Sequence, residues 1–430
     1  MSLLDAELAG GRQWTRVGDC YDITKKPRTT NRFSYPSIPF VPMEAIPQGG
    51  AYAATVSMRT PDEIASGTYF ERGDVLVAKI TPSFENGKQA LTLDLPAPFG
   101  YASTELIPLH PKDDRHDRRL LFFYLLHPDV RAYVAERMEG STGRQRVPES
   151  VLLELAIPSF AIEEQTAIAS ALEAIQQALT AEHKCEQATR ALKRATMSAL
   201  FTRGLRGEAQ RESEIGSVPG SWSVSPLSGV AKLERGRFLH RPRNEPRFYG
   251  GQTPFVQTGD VVRSGGRIRA FSQSLNESGV EISRVFPAGT ILITIAANIG
   301  YSGILEFDSA CPDSLVGISS GRLMSSQFLQ FWLQTQQQRM DQQAPKGTQK
   351  NINIQFLSPW PVPVPAIEEQ CEIAAILDAI DSKIDLHRRK RAVLDDLFKS
   401  LLHKLMTGEI RVADLDLSAL TRANSSEAAS

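Results

Sequence analysis

The chain has 430 residues, 41% of them hydrophobic and 23% charged, an ordinary composition for a soluble globular protein with room for two domains. Its net charge of −1 at pH 7 averages basic and acidic regions and therefore identifies no class of partner. The four cysteines lie far apart without a CxxC pair, which disfavours a disulfide framework or a structural zinc site and favours a reducing cytoplasm.

No segment predicts secretion or membrane insertion. The N-terminus carries Asp5 and Glu7 where a signal peptide needs an apolar core. The uncharged run over residues 285–305 is long enough for a membrane span, but Pro287 and Gly289 interrupt it. Its β-rich centre instead predicts a buried strand that ends in a turn.

Residues 1–160 combine short β-rich runs with a few helices, which predicts an α+β domain. A strand pattern covers residues 73–80, and an aromatic helix pattern covers residues 120–125. A basic loop rich in small and polar residues follows at residues 140–146. A strand containing proline then leads into the pentapeptide Ala-Ile-Glu-Glu-Gln, which opens a long helical region over residues 161–205.

The second half repeats these elements in the same order. The pentapeptide recurs at residues 366–370, 205 positions after the first copy, and the other elements recur at 289–295, 328–333 and 346–351. A repeat of this length indicates a duplicated domain rather than a solenoid, and it predicts approximate internal two-fold symmetry. The predicted segments are a first domain (1–160), a first helical region (161–205), a linker (206–221), a second domain (222–365), a second helical region (366–410) and a tail (411–430) with a flexible end.

The two long helices have matching apolar stripes, so we expect them to pack on each other as a coiled coil. In the second helix the 3-4 spacing persists from Leu377 to Leu405, with His387 and Arg391 as polar interruptions. In the first helix the stripe that starts at Ile168 would next meet charged residues. The apolar residues fall instead at Cys185, Ala188, Leu192 and Ala195. This displacement predicts a stutter, a local shift in register. The alternative is two amphipathic helices packed on separate cores.

Known catalytic signatures are missing from the sequence. There is no GxxxxGK[ST] phosphate loop, no GxGxxG turn after a strand, no HExxH or similar histidine spacing and no PD…ExK pattern. Residues 358–360, Ser-Pro-Trp, have a superficial similarity to a motif of amino-methyltransferases, but the second proline and the cofactor glycines are lacking. We therefore predict a binding protein without catalytic residues or metal ligands.

Positive charge is clustered at corresponding places in the two predicted domains. Eight arginines lie between Arg235 and Arg269 against only two acidic residues, and the first domain carries Lys25, Lys26, Arg28 and Arg32. A single basic run is usually a solvated loop. Because the cluster recurs beside polar loops, it favours contact with phosphates and base edges of a duplex with two half-sites.

These features resemble the specificity subunits of type I restriction–modification systems, the HsdS family, over nearly the whole chain. The resemblance rests on the duplicated strand–pentapeptide–helix unit, on residues 73–80 and on residues 401–408, Leu-Leu-His-Lys-Leu-Met-Thr-Gly. It implies an α+β protein with two target-recognition domains joined by two long helices in an antiparallel coiled coil, with pseudo-two-fold symmetry. Each domain would read one half of a bipartite, asymmetric site in double-stranded DNA, and the helices would set the spacing.

The same resemblance implies partners and cofactors. Two methyltransferase subunits would dock on this chain, and two motor-nuclease subunits would join for restriction. S-adenosylmethionine, ATP and magnesium would be bound by those partners and none of them by this chain. One alternative is a diverged DNA methyltransferase or nuclease module, and another is a coiled-coil scaffold without a DNA role.

Thirteen residues are predicted to contact DNA. Those in basic runs suit phosphates: Lys25, Lys26, Arg235, Arg237, Arg241 and Arg243. Those at strand ends or in the polar loops can reach base edges: Lys79, Arg144, Arg146, Asn298, Gln349, Lys350 and Asn351. For each of them the alternative is a surface position that makes no contact.

Overall fold

The computed structural model describes residues 13–50, 52–141, 143–242, 244–345 and 350–415. The chain forms two compact units, the first from Met1–Lys184 and Arg388–Ser430 and the second from Cys185–His387. Each unit therefore combines one globular domain with part of both long helices.

The first unit contains two four-stranded sheets and one strand pair. Its strands are β1 (Trp14–Arg16), β2 (Tyr21–Ile23), β3 (Ile38–Val41), β4 (Ser57–Arg59), β5 (Thr68–Glu71), β6 (Val75–Ala78), β7 (Gln89–Leu91), β8 (Phe99–Ala102), β9 (Leu106–Pro111) and β10 (Ala156–Pro158). The sheets have the orders β2-β9-β6-β7 and β4-β3-β8-β5, and β1 pairs with β10. Its helices are α1 (Val17–Cys20), α2 (Arg118–Leu126), α3 (Pro128–Ala135), α4 (Glu149–Leu153) and the start of α5 (Ile162–Arg203).

The second unit contains the strands β11 (Gln210–Ser213), β12 (Gly216–Pro219), β13 (Ser223–Pro226), β14 (Ala231–Arg235), β15 (Tyr249–Phe255), β16 (Arg267–Ile268), β17 (Gln273–Leu275), β18 (Val285–Phe286), β19 (Ile291–Thr294), β20 (Ser302–Leu305), β21 (Ser309–Ala310), β22 (Leu315–Ser320) and β23 (Pro361–Val364). Its sheets have the orders β14-β22-β19-β20-β16 and β17-β15-β21-β18, with the pairs β11-β12 and β13-β23. Its helices are α6 (Leu227–Val230), α7 (Thr258–Arg263), α8 (Glu277–Glu281), α9 (Ser326–Gln343), α10 (Ile354–Leu357) and the start of α11 (Ile367–Thr407). The β11-β12 hairpin lies inside the predicted linker.

The two units have the same topology, which confirms the predicted duplication. The sheet β2-β9-β6-β7 corresponds to β14-β22-β19-β20, and β4-β3-β8-β5 corresponds to β17-β15-β21-β18. Even the parallel pair is repeated, as β3-β8 in the first unit and β15-β21 in the second. The second unit differs by the added edge strand β16. Both units are α+β, as predicted.

The predicted strands and aromatic helices build the core of each unit. All four residues of β6, Val-Leu-Val-Ala, and of β19, Ile-Leu-Ile-Thr, are buried, as expected for strands covered on both faces. The aromatic residues of α2 and α9 pack in the same cores. Residues 285–305 form β18, β19 and β20, and the central β19 is fully buried and followed by a turn, which confirms the predicted buried strand. Among the described residues, no helix is long and apolar enough to cross a membrane.

The long helices pack antiparallel within each unit. In the first unit, Leu172 near the start of α5 shares a core with Leu401 near the end of α11. In the second unit, Leu200 near the end of α5 shares a core with Ile373 near the start of α11. The 3-4 stripe of α11 is buried or half-buried along its whole length. The predicted antiparallel coiled coil is therefore confirmed.

The predicted stutter in α5 is wrong. Leu192 is 56% exposed, and Ala188 and Ala195 are exposed as well, whereas Glu186 is only 6% exposed. The inward stripe keeps its 3-4 spacing and passes through Glu182, Glu186 and Lys193. These charged residues can face the partner helix because opposite charges on that helix pair with two of them. In the first unit Lys390 Nζ lies 3.1 Å from Glu182, and in the second unit Lys193 Nζ lies 2.8 Å from Asp381. A prediction from apolar spacing alone therefore misses helix–helix contact positions at which charged residues form ion pairs.

The repeated pentapeptide ends in a buried glutamine that fixes each domain to its helix. Gln165 Oε1 accepts a hydrogen bond from Asp117 N at 2.8 Å, and Gln370 Oε1 accepts one from Ser325 N at 2.8 Å. Asp117 and Ser325 are the N-cap residues of α2 and α9. Each Nε2 donates to two main-chain carbonyls: Arg115 and Phe160 for Gln165, Leu323 and Pro365 for Gln370. Because each unmade bond of a buried amide costs about 1–3 kcal/mol, glutamine fits this position better than an apolar residue.

Candidate nucleic-acid interface

The topology brings most of the predicted DNA-contacting residues to one end of the sheet β2-β9-β6-β7 and to the corresponding end of the sheet β14-β22-β19-β20-β16. In the first unit β2 and β6 run in the same direction, because both pair antiparallel with β9. β6 ends opposite Leu106, where β9 begins next to Glu105, and β2 ends opposite Leu109, from where the chain continues towards the same place. In the second unit β14 and β19 end where β22 begins, next to Asp313 and Ser314. We call these places the polar end of the first unit and the polar end of the second unit.

At the polar end of the first unit, strand-end and loop residues meet. Ile80 and Arg146 form an antiparallel bridge, and Val147 N donates to Lys79 O at 2.8 Å. The Arg146 guanidinium forms two hydrogen bonds with Glu105, and Lys79 N donates to Glu105 O at 2.9 Å. The structure thus places Lys79 beside Arg146, although they are 67 positions apart in the sequence. Arg144 lies in the same loop and is exposed.

The polar end of the second unit repeats this arrangement with different side chains. Ala296 and Asn351 form the equivalent antiparallel bridge, and Ile352 N donates to Ile295 O at 2.9 Å. Asn298 is exposed in the turn after β19, next to Ala297, whose φ of 62° lies in the left-handed region. Lys350 Nζ lies 2.8 Å from Asp341. Gln349 lies outside the described residues.

The basic residues predicted to bind phosphates lie next to these ends. Lys25 and Lys26 follow β2 and are exposed, and neither side chain has an ion pair within the described part of the chain. The preceding Thr24 is buried, and its hydroxyl donates to Asp74 at 2.6 Å. Burial raises the pKa of Asp74 to about 6. The start of the two-lysine segment is therefore anchored, while its ammonium groups reach solvent.

Three of the predicted arginines in the second unit form hydrogen bonds within the protein. Arg235 Nε donates to Asp313 O at 2.7 Å, and the Arg237 guanidinium donates twice to Ser283 O. Arg241 Nη2 donates to the Asp313 carboxylate at 2.9 Å, and its Nη1 donates to two main-chain carbonyls. These bonds hold the three side chains at the polar end but leave fewer N–H groups for DNA. Arg243 lies outside the described residues.

Other arginines of the predicted basic cluster form ion pairs away from the polar end. Arg263 pairs with Asp260 at 2.7 Å, and Arg267 pairs with Asp378 on α11 at 2.6 Å. Arg269 lies 2.7 Å from Asp385, also on α11, and this contact raises the pKa of its guanidinium. The last two arginines therefore fix the domain to the long helix within the second unit. Charge spacing in the sequence could not separate them from the residues at the polar end.

Two acidic residues at the polar ends were not predicted from the sequence. Glu105 and Asp313 come directly before, or two positions before, the equivalent strands β9 and β22, and each binds an arginine predicted to contact DNA. Hydrogen bonding by Arg146 lowers the pKa of Glu105. Their recurrence at corresponding positions was a usable signal, but an acid is not an obvious candidate for contact with a polyanion.

One cluster has the composition of a metal site. His127, Asp129 and His403 of the first unit have possible ligand atoms within 4.8 Å of one another. However, His127 Nδ1 accepts a hydrogen bond from Asp129 N at 3.2 Å, so its proton is on Nε2, which lies 3.1 Å from His403 Nδ1. A neutral imidazole with this tautomer has no lone pair left on Nε2 for a metal. The arrangement is that of a hydrogen-bonded chain between α3 and α11.

This histidine predicts a specific pH dependence. Burial lowers the pKa of His127 to about 4 from 6.5, so the unfolded chain takes up a proton first as the pH falls. Its contribution to the free energy of unfolding is complete above pH 6.5 and falls by up to roughly 3 kcal/mol towards pH 4. Asp74 has a raised pKa of about 6, so its contribution to the free energy of unfolding increases as the pH falls from about 6 towards 4.

The two effects separate when wild type is compared with His127→Asn, because asparagine keeps an N-cap acceptor and does not titrate. We expect wild type to lose stability relative to this variant between pH 6.5 and pH 4, measured by amide hydrogen exchange in α2 and α3. Asp74 is present in both chains and cancels. A stability difference that does not change with pH would contradict the assigned neutral histidine.

The fold and the polar ends define a class of protein: two equivalent α+β domains with diverged polar ends, each fixed to an antiparallel helical pair. The family model described as the type I restriction modification DNA specificity domain matches residues 219–395. The putative type I restriction enzyme MjaX specificity subunit of Methanocaldococcus jannaschii is 26% identical over 349 residues, which is 79% of each chain. The MjaVIII specificity subunit of the same organism is 24% identical and covers 74% of this chain and 76% of its own.

Solved structures show the same fold. The S subunit of a type I restriction–modification system from M. genitalium superposes with a TM-score of 0.58 at 16% identity, over 93% of this chain and 98% of that chain. A chain from a study of assembly and conformational transition in a type I system has a TM-score of 0.56 at 18% identity, over 93% and 99%. Over residues 219–395 the chain matches the type I DNA specificity domain, and over about three quarters of its length it is similar in sequence to type I restriction enzyme specificity subunits.

Proposed function

We propose that this chain is the DNA-recognition subunit of a type I restriction–modification complex and that each unit reads one half of a bipartite, asymmetric site. The observation that carries the proposal is the equivalent bridge at the two polar ends, Ile80–Arg146 and Ala296–Asn351. The same main-chain scaffold thus presents arginine in one unit and asparagine in the other. Arginine suits guanine and asparagine suits adenine, so two such ends read different sequences.

The partner subunits would carry the catalytic functions. Two methyltransferase subunits bind this chain, two motor-nuclease subunits join for restriction, and S-adenosylmethionine, ATP and magnesium are bound by those partners. An exposed apolar stripe on α11 supports docking on the long helices. Leu386, Val393 and Leu397 are 44%, 67% and 38% exposed and lie on one face of the helix, away from the buried stripe.

The test is selection of binding sites from random duplexes. We expect the chain with its methyltransferase subunit to enrich one bipartite sequence, and to methylate it when S-adenosylmethionine is added. The chain alone should bind DNA weakly, with an affinity that falls steeply with salt, and should neither methylate nor cleave it. Methyl transfer by the purified chain alone would instead support a diverged methyltransferase. Binding that does not depend on salt would support a scaffold without a DNA role.

A further inference from the structure

At the polar end of the first unit, one arginine is held more rigidly than the other predicted contacts. The Arg146 Nε and Nη2 atoms donate to the two oxygens of Glu105 at 3.1 Å and 2.8 Å. This is the paired geometry in which two parallel N–H bonds fix the plane of a guanidinium. Arg146 is still 56% exposed at its side chain, against 27% for Glu105, so the fixed group faces solvent.

The main chain of Arg146 is fixed on both sides. Arg146 N donates to Glu139 O at 2.8 Å, and Glu139 N donates to Arg146 O at 2.9 Å. On its other side Arg146 bridges to Ile80, the residue after Lys79. Glu105 is held in turn, since its carbonyl accepts from Lys79 N at 2.9 Å. Both members of the ion pair are therefore placed by the ends of β6 and β9.

The pairing leaves a defined set of donors on Arg146. Glu105 takes Nε–H and one N–H of Nη2, and Nη1 makes no other hydrogen bond in the described part of the chain. The remaining Nη1–H and Nη2–H form the end of the guanidinium and point away from the carboxylate. Two parallel donors at this spacing match O6 and N7 of guanine in the major groove. Among the single bases, guanine is the one that offers two acceptors there.

We propose that Arg146 reads a guanine in the half-site of the first unit and that Glu105 is the residue that positions it. This inference rests on the proposed function. An isolated carboxylate at a DNA-binding surface is repelled by phosphates, so Glu105 contributes through the orientation of Arg146. Within the described residues, Arg144, Lys25 and Lys26 have no such ion pair, and the two lysines suit phosphates.

The test uses the complex of the full chain with its methyltransferase subunit and duplexes that carry the selected site. Each guanine of the first half-site is replaced in turn by adenine or by 7-deazaguanine, which lacks the N7 acceptor. For wild type we expect one guanine whose replacement weakens binding by about 10- to 100-fold. For Arg146→Ala, that guanine should no longer matter, while all preferences in the other half-site remain.

A double-mutant cycle separates positioning from a general electrostatic effect. Glu105→Ala should reduce the preference for that guanine by about 5- to 20-fold and should have no further effect on it in an Arg146→Ala chain. The preference is the ratio of the affinities for duplexes with and without that guanine. If removal of the Glu105 carboxylate strengthens binding to all DNA equally, both affinities rise by the same factor and the ratio is unchanged. Asp113–Arg115 is the matched control. Arg115 Nε and Nη2 also bond to a carboxylate, but at the opposite end of β9, so Arg115→Ala should change no preference.

Three results would overturn the inference while the proposed function stands: a first half-site without guanine, a guanine preference that survives Arg146→Ala, or a Glu105 effect that persists without Arg146. If the wild-type complex selects no bipartite sequence, the proposed function itself fails. The two failures are therefore distinguishable in the same experiment.

Discussion

Replacement of residues 1–155 by the corresponding region of a relative will change one half of the recognised DNA sequence and leave the other half intact. The first domain can be exchanged because Gln165 of α5 binds main-chain groups of the domain, the Asp117 amide and the Arg115 carbonyl. The graft therefore keeps these bonds whatever side chains it brings. The relative should retain Arg119, whose guanidinium lies 3.1 Å from Glu173 on α5.

The expected effect is large. A half-site of a few base pairs, each worth about 1–3 kcal/mol, corresponds to a change in preference of about a hundredfold or more. The measurement is selection from random duplexes by the chimeric complex. The reciprocal exchange, residues 222–360, should change only the other half, because the second domain has its own clamp at Gln370. A change in both halves after a single exchange would mean that the two domains do not read independently.

Insertion of four residues after Ala178 will lengthen the gap between the half-sites by about one to two base pairs. Four residues add about 6 Å to a helix, against about 3.4 Å for each base pair. Residues of α5 and of α11 belong to both units, and we expect the length of these helices to set the gap between the half-sites. A coiled coil accommodates four added residues as a stutter, by local unwinding.

The same four residues inserted after Gly207 serve as the control. Gly207 is exposed and lies between α5 and the β11-β12 hairpin, outside the helices. We expect this chain to select the wild-type gap, and the Ala178 insertion to select both unchanged half-sites at a longer spacing. The affinity for the original site should fall by the contribution of one half-site, about a hundredfold or more. An unchanged gap would show that the helices do not determine the spacing.

Much of the candidate site was visible in the sequence because the duplication aligned it. The match of residues 73–80 with 289–295 identified β6 and β19, and the polar loops after the aromatic helices contained Arg146 and Asn351. Proximity was not visible, since the two elements lie far apart in the chain and meet only through a β-bridge. The function of the other predicted contacts stays a prediction, because burial and hydrogen bonds do not test contact with DNA.

By itself, the sequence determined the repeat, the α+β character and the two long helices, because hydrophobic periodicity and a recurring motif are properties of the chain. Only the tertiary structure decided which charges are available. Arg267 and Arg269 are neutralised by acids of α11 more than 100 positions away, and Lys193 is accepted in the helical seam because Asp381 of α11 lies 2.8 Å from it. The partners of a charged side chain are set by packing, so a count of charges along the sequence cannot supply them.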